Sequence, residues 1–298
     1  MADDVTPAAL RNEPLRKHTS WRVGGPADLF FEPASVAELE LALAELPADM
    51  PVHWIGLGSN LLVRDGGIRG AVIATGRLPR ELVRVDHARV RAGAGLACAL
   101  LAKQCVRWQL GPAAFFAGIP GTVGGALAMN AGAFGGETWA HVESVVTMTR
   151  RGEQRTRPRS DYEIGYRSVR GPAGEWFLSA TFRFDADTET SLATIKALLA
   201  KRSASQPLGI PSCGSVFRNP PGDFAGRLIE AAGLKGRRIG GAMVSEKHAN
   251  FIVNTGKATA ADIEALIEEV IATVQQRAGV RLEPEVRIVG ERAAEART

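Results

Sequence analysis

The chain has 298 residues, 45% of them hydrophobic and 23% charged, the balance of a soluble globular protein large enough for one big domain or two or three smaller ones. A net charge of +4 and a pI of about 9.2 would suit nucleic acid, a membrane surface or anionic small molecules. The densest cationic run, RRGEQRTRPR at 150–159, lacks interleaved aromatics and reads as a hairpin around Gly152 on a solvated face, which argues against a nucleic-acid patch and leaves anionic small ligands. Residues 1–14 carry acids and prolines without an apolar core, so no secretory leader is expected. The three cysteines, Cys98, Cys105 and Cys213, show no metal-ligand spacing, and a reducing cytoplasm is the expected compartment.

In chain order, Ser35 and Glu38 form a capping-box pattern that opens an amphipathic helix over 35–46, stopped by Pro47. VHWIGLGSNLLV, 52–63, begins as a strand and breaks at a Gly-Ser-Asn turn; 71–75 is a second strand and 83–95 a hairpin. A helix over 96–110 ends at Gly111-Pro112. Then comes AGIPGTVGGALAMNAGAFGGE, 117–137, with seven glycines in the nineteen residues from Gly118 to Gly136, inside a stretch free of charge from Trp108 to Gly136. That stretch could span a bilayer by length, but Pro112, Pro120, the glycines and Asn130 argue against a membrane helix. A buried crossover or a ligand cradle remains. Residues 142–157 alternate as a hairpin, and 175–185 form a strand whose Phe177, Ala180 and Phe182 fall out of register, which predicts a bulge or burial on both faces.

A helix covers 191–202, and 205–223, with four prolines and three glycines, marks a boundary or a site loop. Beyond it the pattern gives a helix at 227–233 capped by Gly233, a strand at 249–254, and a long helix at 258–279. The long helix has one apolar stripe of Ile263, Leu266, Ile267, Val270, Ile271 and Val274 and ends at Gly279. A strand over 280–290 closes the chain. The order of strands and helices lacks a regular βαβα alternation, so the fold class is α+β. No internal repeat or low-complexity tract is present.

Two glycine loops suit phosphate. GLGSN, 56–60, follows a strand but lacks the third glycine and the helix of a dinucleotide fingerprint, and no GK[ST] exists for a Walker loop. It still offers a nest of main-chain N–H groups, with a tight inter-strand loop as the alternative. Gly121-Thr122-Val123-Gly124-Gly125 leads into ALAMN, so a helix N-terminus could present N–H groups to a phosphate. Elsewhere, Tyr166 and Arg167 sit among apolar residues, and Ser215 follows a glycine in a proline-bounded loop with Arg218 and Asn219 close behind. The loop is not a GxSxG elbow, because position 217 is Phe217. In strand alternation Glu283, Glu285 and Arg287 share one face.

HTSWRVGGPADLFFEP (18–33), GLGSNLLVRDGG (56–67), GIPGTVGGALAMNAGAFGGE (118–137), YRSV (166–169), PSCGSVFRNP (211–220), AGRLIEAAGLKGRRIGGAMVSEKHANFIVN (225–254) and LEPEVRIVG (282–290) together resemble the UDP-N-acetylenolpyruvoylglucosamine reductases, the MurB flavoenzymes of peptidoglycan synthesis. The resemblance runs from about His18 to Gly290. It implies an FAD-binding fold of the vanillyl-alcohol-oxidase (PCMH) type in two subdomains, here 1–80 and 81–205. A C-terminal α+β substrate domain at 206–298 follows, of which about 206–285 closes over the substrate.

The resemblance also implies roles. Non-covalent FAD would lie along Gly56, Leu57, Gly58, Ser59, Asn60 and Leu61 on one side. On the other it would meet Gly118, Ile119, Pro120, Gly121, Val123, Gly124, Gly125, Asn130, Ala131 and Gly132, the bare glycines letting main-chain N–H groups reach the phosphates. NADPH is the implied co-substrate, and the implied reaction carries hydride by way of FAD to C3 of the enolpyruvyl UDP-sugar. Arg167 and Glu285 would hold the charge that develops at C2 and the carboxylate, and Ser215 would donate the proton to C2. Glu285 is expected to have a raised pKa or to pair with Arg287. Tyr166, Arg218, Asn219 and Arg287 would bind substrate. No metal, no nucleic acid and no membrane insertion are expected, and the chain is expected to be a monomer or weak dimer. With 48 positions between Arg167 and Ser215, the chain resembles the shorter family type, which lacks an inserted loop carrying a substrate-binding tyrosine. Phe134 stands where the family often has tyrosine, so one hydroxyl contact is absent. Two other readings stay open: another FAD oxidoreductase of this fold, and a non-catalytic binder of flavin or UDP-sugar.

Overall fold

A computed structural model describes residues 9–293; most of the N-terminal segment inspected for a leader lies outside that range. The helices are α1 (Val36–Glu45), α2 (Cys98–Arg107), α3 (Val123–Met129), α4 (Leu192–Ser205), α5 (Ala225–Ala231) and α6 (Ala260–Ala278). The chain divides into two compact units. Unit 1 takes in Phe30–Leu57 and Ala71–Arg202; unit 2 takes in Arg11–Leu29, Gly58–Gly70 and the described residues 203–293. Among the described residues, no helix is long and apolar enough to cross a membrane.

Unit 1 is built on a five-stranded sheet in the order Gln154–Pro158, Val142–Thr149, Glu175–Arg183, Arg89–Gly93, Leu82–Arg84, antiparallel throughout. The expected irregularity of the 175–185 strand is present as register shifts against its neighbour between Val142 and Ser144 and between Val146 and Thr147. α2 buries Cys98, Leu101, Ala102, Cys105 and Val106, the spacing of one helical face. α3 adds Val123, Ala126 and Leu127 to the same core, with Trp139, Phe116 and Phe182. The two helical cysteines are therefore packing residues, and burial pushes both thiols up to about 12. In α1, Ser35 Oγ accepts from Glu38 N at 3.1 Å, as the capping pattern predicts.

The arginine-rich hairpin at 150–159 turns at Gly152, φ +80°, but it is more than a solvated face. Arg150 donates to the carbonyls of Leu43, Leu46 and Pro47 at the end of α1. Arg157 forks onto Glu175, whose carboxylate also accepts from Thr147 Oγ1 at 2.6 Å. Sequence pattern registers charge; it does not register which main-chain acceptors a long side chain reaches.

Unit 2 packs α5 and α6 with a three-stranded antiparallel sheet of Arg238–Ile239, Ala242–Val244 and Ile252–Asn254. α6 starts at a full capping box, Thr259 with Asp262, and ends at Gly279, φ +70°. Of its predicted stripe, Ile263, Leu266, Ile267, Val270 and Val274 are buried, with Ile271 partly so; at about 1.5–3 kcal/mol for each fully buried side chain, this face anchors the unit. A parallel pair, Leu61–Val63 with Arg287–Val289, completes it. Here one expectation fails: the strand predicted over 280–290 spans only Arg287–Val289. Glu285 precedes it, so strand alternation does not set its direction. The preceding residues form a single bridge, Phe217 to Pro284, and a proline cannot donate to a ladder.

Candidate active site

The glycine-rich loop belongs to unit 1, and each glycine there has its own reason. The end of the strand Val52–Ile55 meets the start of α3: a Cβ on Gly56 would lie 2.7 Å from Thr122 Oγ1. A Cβ on Gly124 would lie 2.9 Å from Ala94 Cβ, and one on Gly118 would press into the Phe134 ring at 2.5 Å and Ala133 at 2.6 Å. These two are bare because protein packs on protein. Gly125 differs, since its Cβ would meet only the cap hydroxyl of Thr122, at 3.7 Å.

The main-chain donors correct a second expectation. Val123 N donates to Leu96 O at 2.8 Å, Gly124 N to Ala94 O at 2.9 Å, and Gly121 N to Ile119 O at 2.9 Å, while Gly125 N turns to Thr122 Oγ1. The start of α3 therefore does not present these N–H groups to a phosphate. Thr122 and Val123 are buried there, and buried amides must be satisfied within the fold. Ile119, Val123 and Ala131 are buried too, so any ligand meets them through main chain; Pro120 is exposed. The GLGSN turn is the opposite case. Gly58 has φ +63°, and a Cβ there would run into the His18 carbonyl. Among the described residues, no hydrogen bond within the chain uses the N–H of Leu57, Gly58 or Ser59. Such uncommitted donors in a left-handed turn fit a pyrophosphate. Leu57 is exposed and Leu61 half-buried at the start of its strand.

Arg167 is also part of unit 1. It occupies, with Tyr166, the two-residue turn of the hairpin Glu163–Gly165 and Ser168–Arg170, in a left-handed conformation at φ +53°. Such a conformation costs a non-glycine residue about 1–3 kcal/mol and persists where the surroundings hold it. The surroundings do so here: Arg167 Nη1 donates to Asn130 O at 3.2 Å and Nη2 to Gly132 O at 3.0 Å. Its guanidinium also lies 5.1 Å from the centroid of the Tyr166 ring, a cation–π arrangement. The sequence singled out Asn130 as a cofactor contact, but its side chain is 1% exposed and bonded inside the protein. Phe134 is exposed at the tip of a second hairpin, Gly132–Ala133 with Gly136–Glu137.

In unit 2, Ser215 and Glu285 are brought onto facing segments. Gly214 turns left-handed at φ +77° with open space beside it, and half-buried Ser215 follows. Val216 and Phe217 anchor the next step in the core. Val216 O accepts Glu285 N at 2.7 Å, and Arg218 N donates to Glu283 O at 2.9 Å. On the other side Asn250, which pattern reasoning missed, clamps the same segment: its side-chain amide exchanges two bonds of 2.9 Å with the Phe217 main chain. Burial, and then the Glu285 carboxylate, push the Cys213 thiol well above its usual range. Asn60 joins this group, since its Nδ2 donates to Glu285 O at 3.1 Å and its carbonyl accepts Arg287 N at 3.0 Å. Arg218 Nη1 lies 4.0 Å from Glu283 Oε2. Asn219 Oδ1 accepts Ala225 N at the start of α5, at 3.0 Å, so half of its amide has a structural task.

A further residue outside the sequence reading belongs to the glycine loop. Arg202, at the end of α4, reaches across 84 positions and donates Nη1 to Gly118 O at 2.7 Å. Burial lowers the pKa of its guanidinium. Nothing local to LAKRS shows that reach.

Fold and donor set define a class: a flavoprotein of α+β fold, with an FAD-binding region followed by a C-terminal domain. Residues 27–157 match the family described as an FAD binding domain. The chain belongs to the UDP-N-acetylenolpyruvoylglucosamine reductase family, and is an oxidoreductase. Residues 206–289 match that family's C-terminal domain. The chain is 58% identical over 290 residues to the UDP-N-acetylenolpyruvoylglucosamine reductase of Alkalilimnicola ehrlichii, covering 96% of this chain and 97% of that one. It is 57% identical to that of Methylococcus capsulatus, covering 96% and 94%. The crystal structure of the Thermus caldophilus reductase superposes with a TM-score of 0.79 at 33% identity, covering 95% of this chain and 98% of that one.

Proposed function

We propose that this protein reduces UDP-N-acetyl-3-O-(1-carboxyvinyl)-glucosamine to UDP-N-acetylmuramate with NADPH as reductant, a step in peptidoglycan precursor synthesis. Beyond the family relationship, the observation that carries the reading is the bond from Glu285 N to Val216 O. It holds a hydroxyl and a carboxylate on facing segments next to a half-open turn. FAD, when bound, supplies hydride. The N–H groups of Leu57, Gly58 and Ser59 would hold its phosphates, and Gly125 would leave it a bare face.

Arg167 neutralises the substrate carboxylate, where charge accumulates once C3 has gained hydride. A guanidinium keeps its charge at every working pH and offers a planar fork to a carboxylate. Glu285 stabilises the charge that develops at C2, and Ser215 Oγ gives its proton to C2. A hydroxyl suffices as acid because the accepting carbon is far more basic than an alkoxide. Tyr166, Arg218, Asn219 and Arg287 bind the sugar nucleotide, Asn219 through its remaining amide group. Residues 1–80 and 81–205 are read as the two FAD-binding subdomains and 206–298 as the substrate domain, in a cytoplasmic monomer or weak dimer.

The test is direct. Purified protein is expected to be yellow with about one releasable FAD per chain. NADPH oxidation should depend on the enolpyruvyl sugar nucleotide. Colourless protein that takes up no FAD, or NADPH oxidation indifferent to that substrate, would refute the reading.

A further inference from the structure

Asn130 is 1% exposed and left-handed at φ +49°, and its side chain is fully engaged. Nδ2 donates to Glu137 Oε2 at 3.0 Å and to Gly165 O at 3.1 Å, while Oδ1 accepts Trp139 N at 3.0 Å. Both amide hydrogens and an amide lone pair are thus used inside unit 1. Two of its bonds converge on one place. Gly165 O closes the hairpin immediately before Tyr166-Arg167, and Asn130's own carbonyl accepts Arg167 Nη1 at 3.2 Å. One residue therefore grips both the backbone of the Arg167 turn and the head of its side chain. Trp139 makes the grip rigid: it is fully buried, takes its position from Asn130 Oδ1, and donates Nε1 to Leu127 O at 2.7 Å.

We infer that Asn130 is a positioning residue for Arg167, fixing the turn and the guanidinium together, and that its side chain does not contact the cofactor. The inference rests on the role proposed above for Arg167. Asparagine suits the position for two reasons: it tolerates the left-handed backbone at the end of α3, and it carries two donors and an acceptor on a short stem. Glycine would satisfy only the first requirement.

Asn130→Gly is therefore the informative variant. It keeps the backbone conformation and the carbonyl that receives Arg167, and it removes the hold on Gly165, Glu137 and Trp139. Hydrogen–deuterium exchange should show faster exchange across 163–170 in this variant, with the strand Val142–Thr149 still protected. In anaerobic stopped-flow, flavin reduction by NADPH should stay within about twofold of wild type, and reoxidation by the enolpyruvyl substrate should slow roughly 10–100-fold, the scale of a displaced catalytic group. In an Arg167→Lys background the same change should add less than about twofold to reoxidation, because its effect passes through Arg167. Unchanged exchange at 163–170, or a full multiplicative loss in the double variant, would overturn the inference. Loss of bound FAD in Asn130→Gly with the hairpin still protected would assign Asn130 to the cofactor instead. A wild-type enzyme inert toward the substrate would instead refute the proposed reaction, and the exchange result would still decide whether Asn130 holds the hairpin.

Discussion

Ser215 carries the sharpest residue-level consequence. Its neighbours Val216 and Phe217 are locked in the core and by Asn250, so removing its hydroxyl should leave the segment in place. On the proposed reading Ser215→Ala leaves NADPH-driven flavin bleaching near wild type and slows substrate-driven reoxidation by roughly 10²–10⁴-fold, the worth of a positioned general acid. Anaerobic stopped-flow at the flavin band separates the two phases; equal slowing of both would make Ser215 a structural residue. Arg167, Ser215 and Glu285 were candidates before the structure, because the long motifs that carry the family resemblance contain them. The supporting partners were not. Asn250 lies 33 positions from Phe217, and Arg202 lies 84 from Gly118. A side chain's distant acceptor leaves no periodic trace.

At the scale of elements, the glycine loop and α3 divide into packing and open surface. Gly124 abuts Ala94 at 2.9 Å, whereas Gly125 has only the Thr122 hydroxyl, at 3.7 Å. Gly124→Ala should lower the melting temperature by overpacking, at about 1–3 kcal/mol, and lose FAD only as a result. Gly125→Ala should leave the apoprotein's melting temperature within a degree or two, since alanine also favours helix, and weaken FAD retention if the cofactor lies against that face. Thermal melts of apoprotein with FAD titration check both; unchanged FAD affinity in Gly125→Ala would move the cofactor off this surface. The helices and hairpins themselves were readable from caps and periodicity. The 280–290 strand was not, because its alternation continues through Pro284, which can bridge Phe217 but cannot extend a ladder.

For the whole molecule, the half-buried histidines and the paired carboxylates agree in sign. Burial lowers the pKa of His53, His141 and His248. A histidine depressed in the fold contributes stability above its unfolded value, about 6.5, and loses it as pH falls through the folded one. Glu264 is held low first by its hydrogen bonds from Arg64, which forks onto it at 2.9 Å twice. Glu175 is held low by Arg157. These carboxylates contribute above about pH 4.3 and lose that contribution as pH falls through their lower folded values. The melting temperature should therefore decline below about pH 6.5 and again, more steeply, below about pH 4. Glu264→Gln should cost about 1.5–3 kcal/mol near pH 7, the range for hydrogen bonds to a charged group. Its deficit should shrink as acid removes the charge from the wild type. A deficit independent of pH would mean that packing, and not the ion pair, sets the contribution of Glu264.

The sequence by itself determined the elements with strong caps and stripes, the α+β class and the two glycine loops, and its resemblance to a family made Arg167, Ser215 and Glu285 the candidates. These are local facts, written in propensity, turn chemistry and motif spacing. Only the tertiary structure decided which glycines pack and which stay bare, and which loop keeps free N–H groups. It alone turned Asn130 inward and set Glu285 beside Val216. Each of these depends on donors and acceptors far apart in the chain. A buried polar group must find a partner wherever the fold supplies one, and the chain's order does not say where that is.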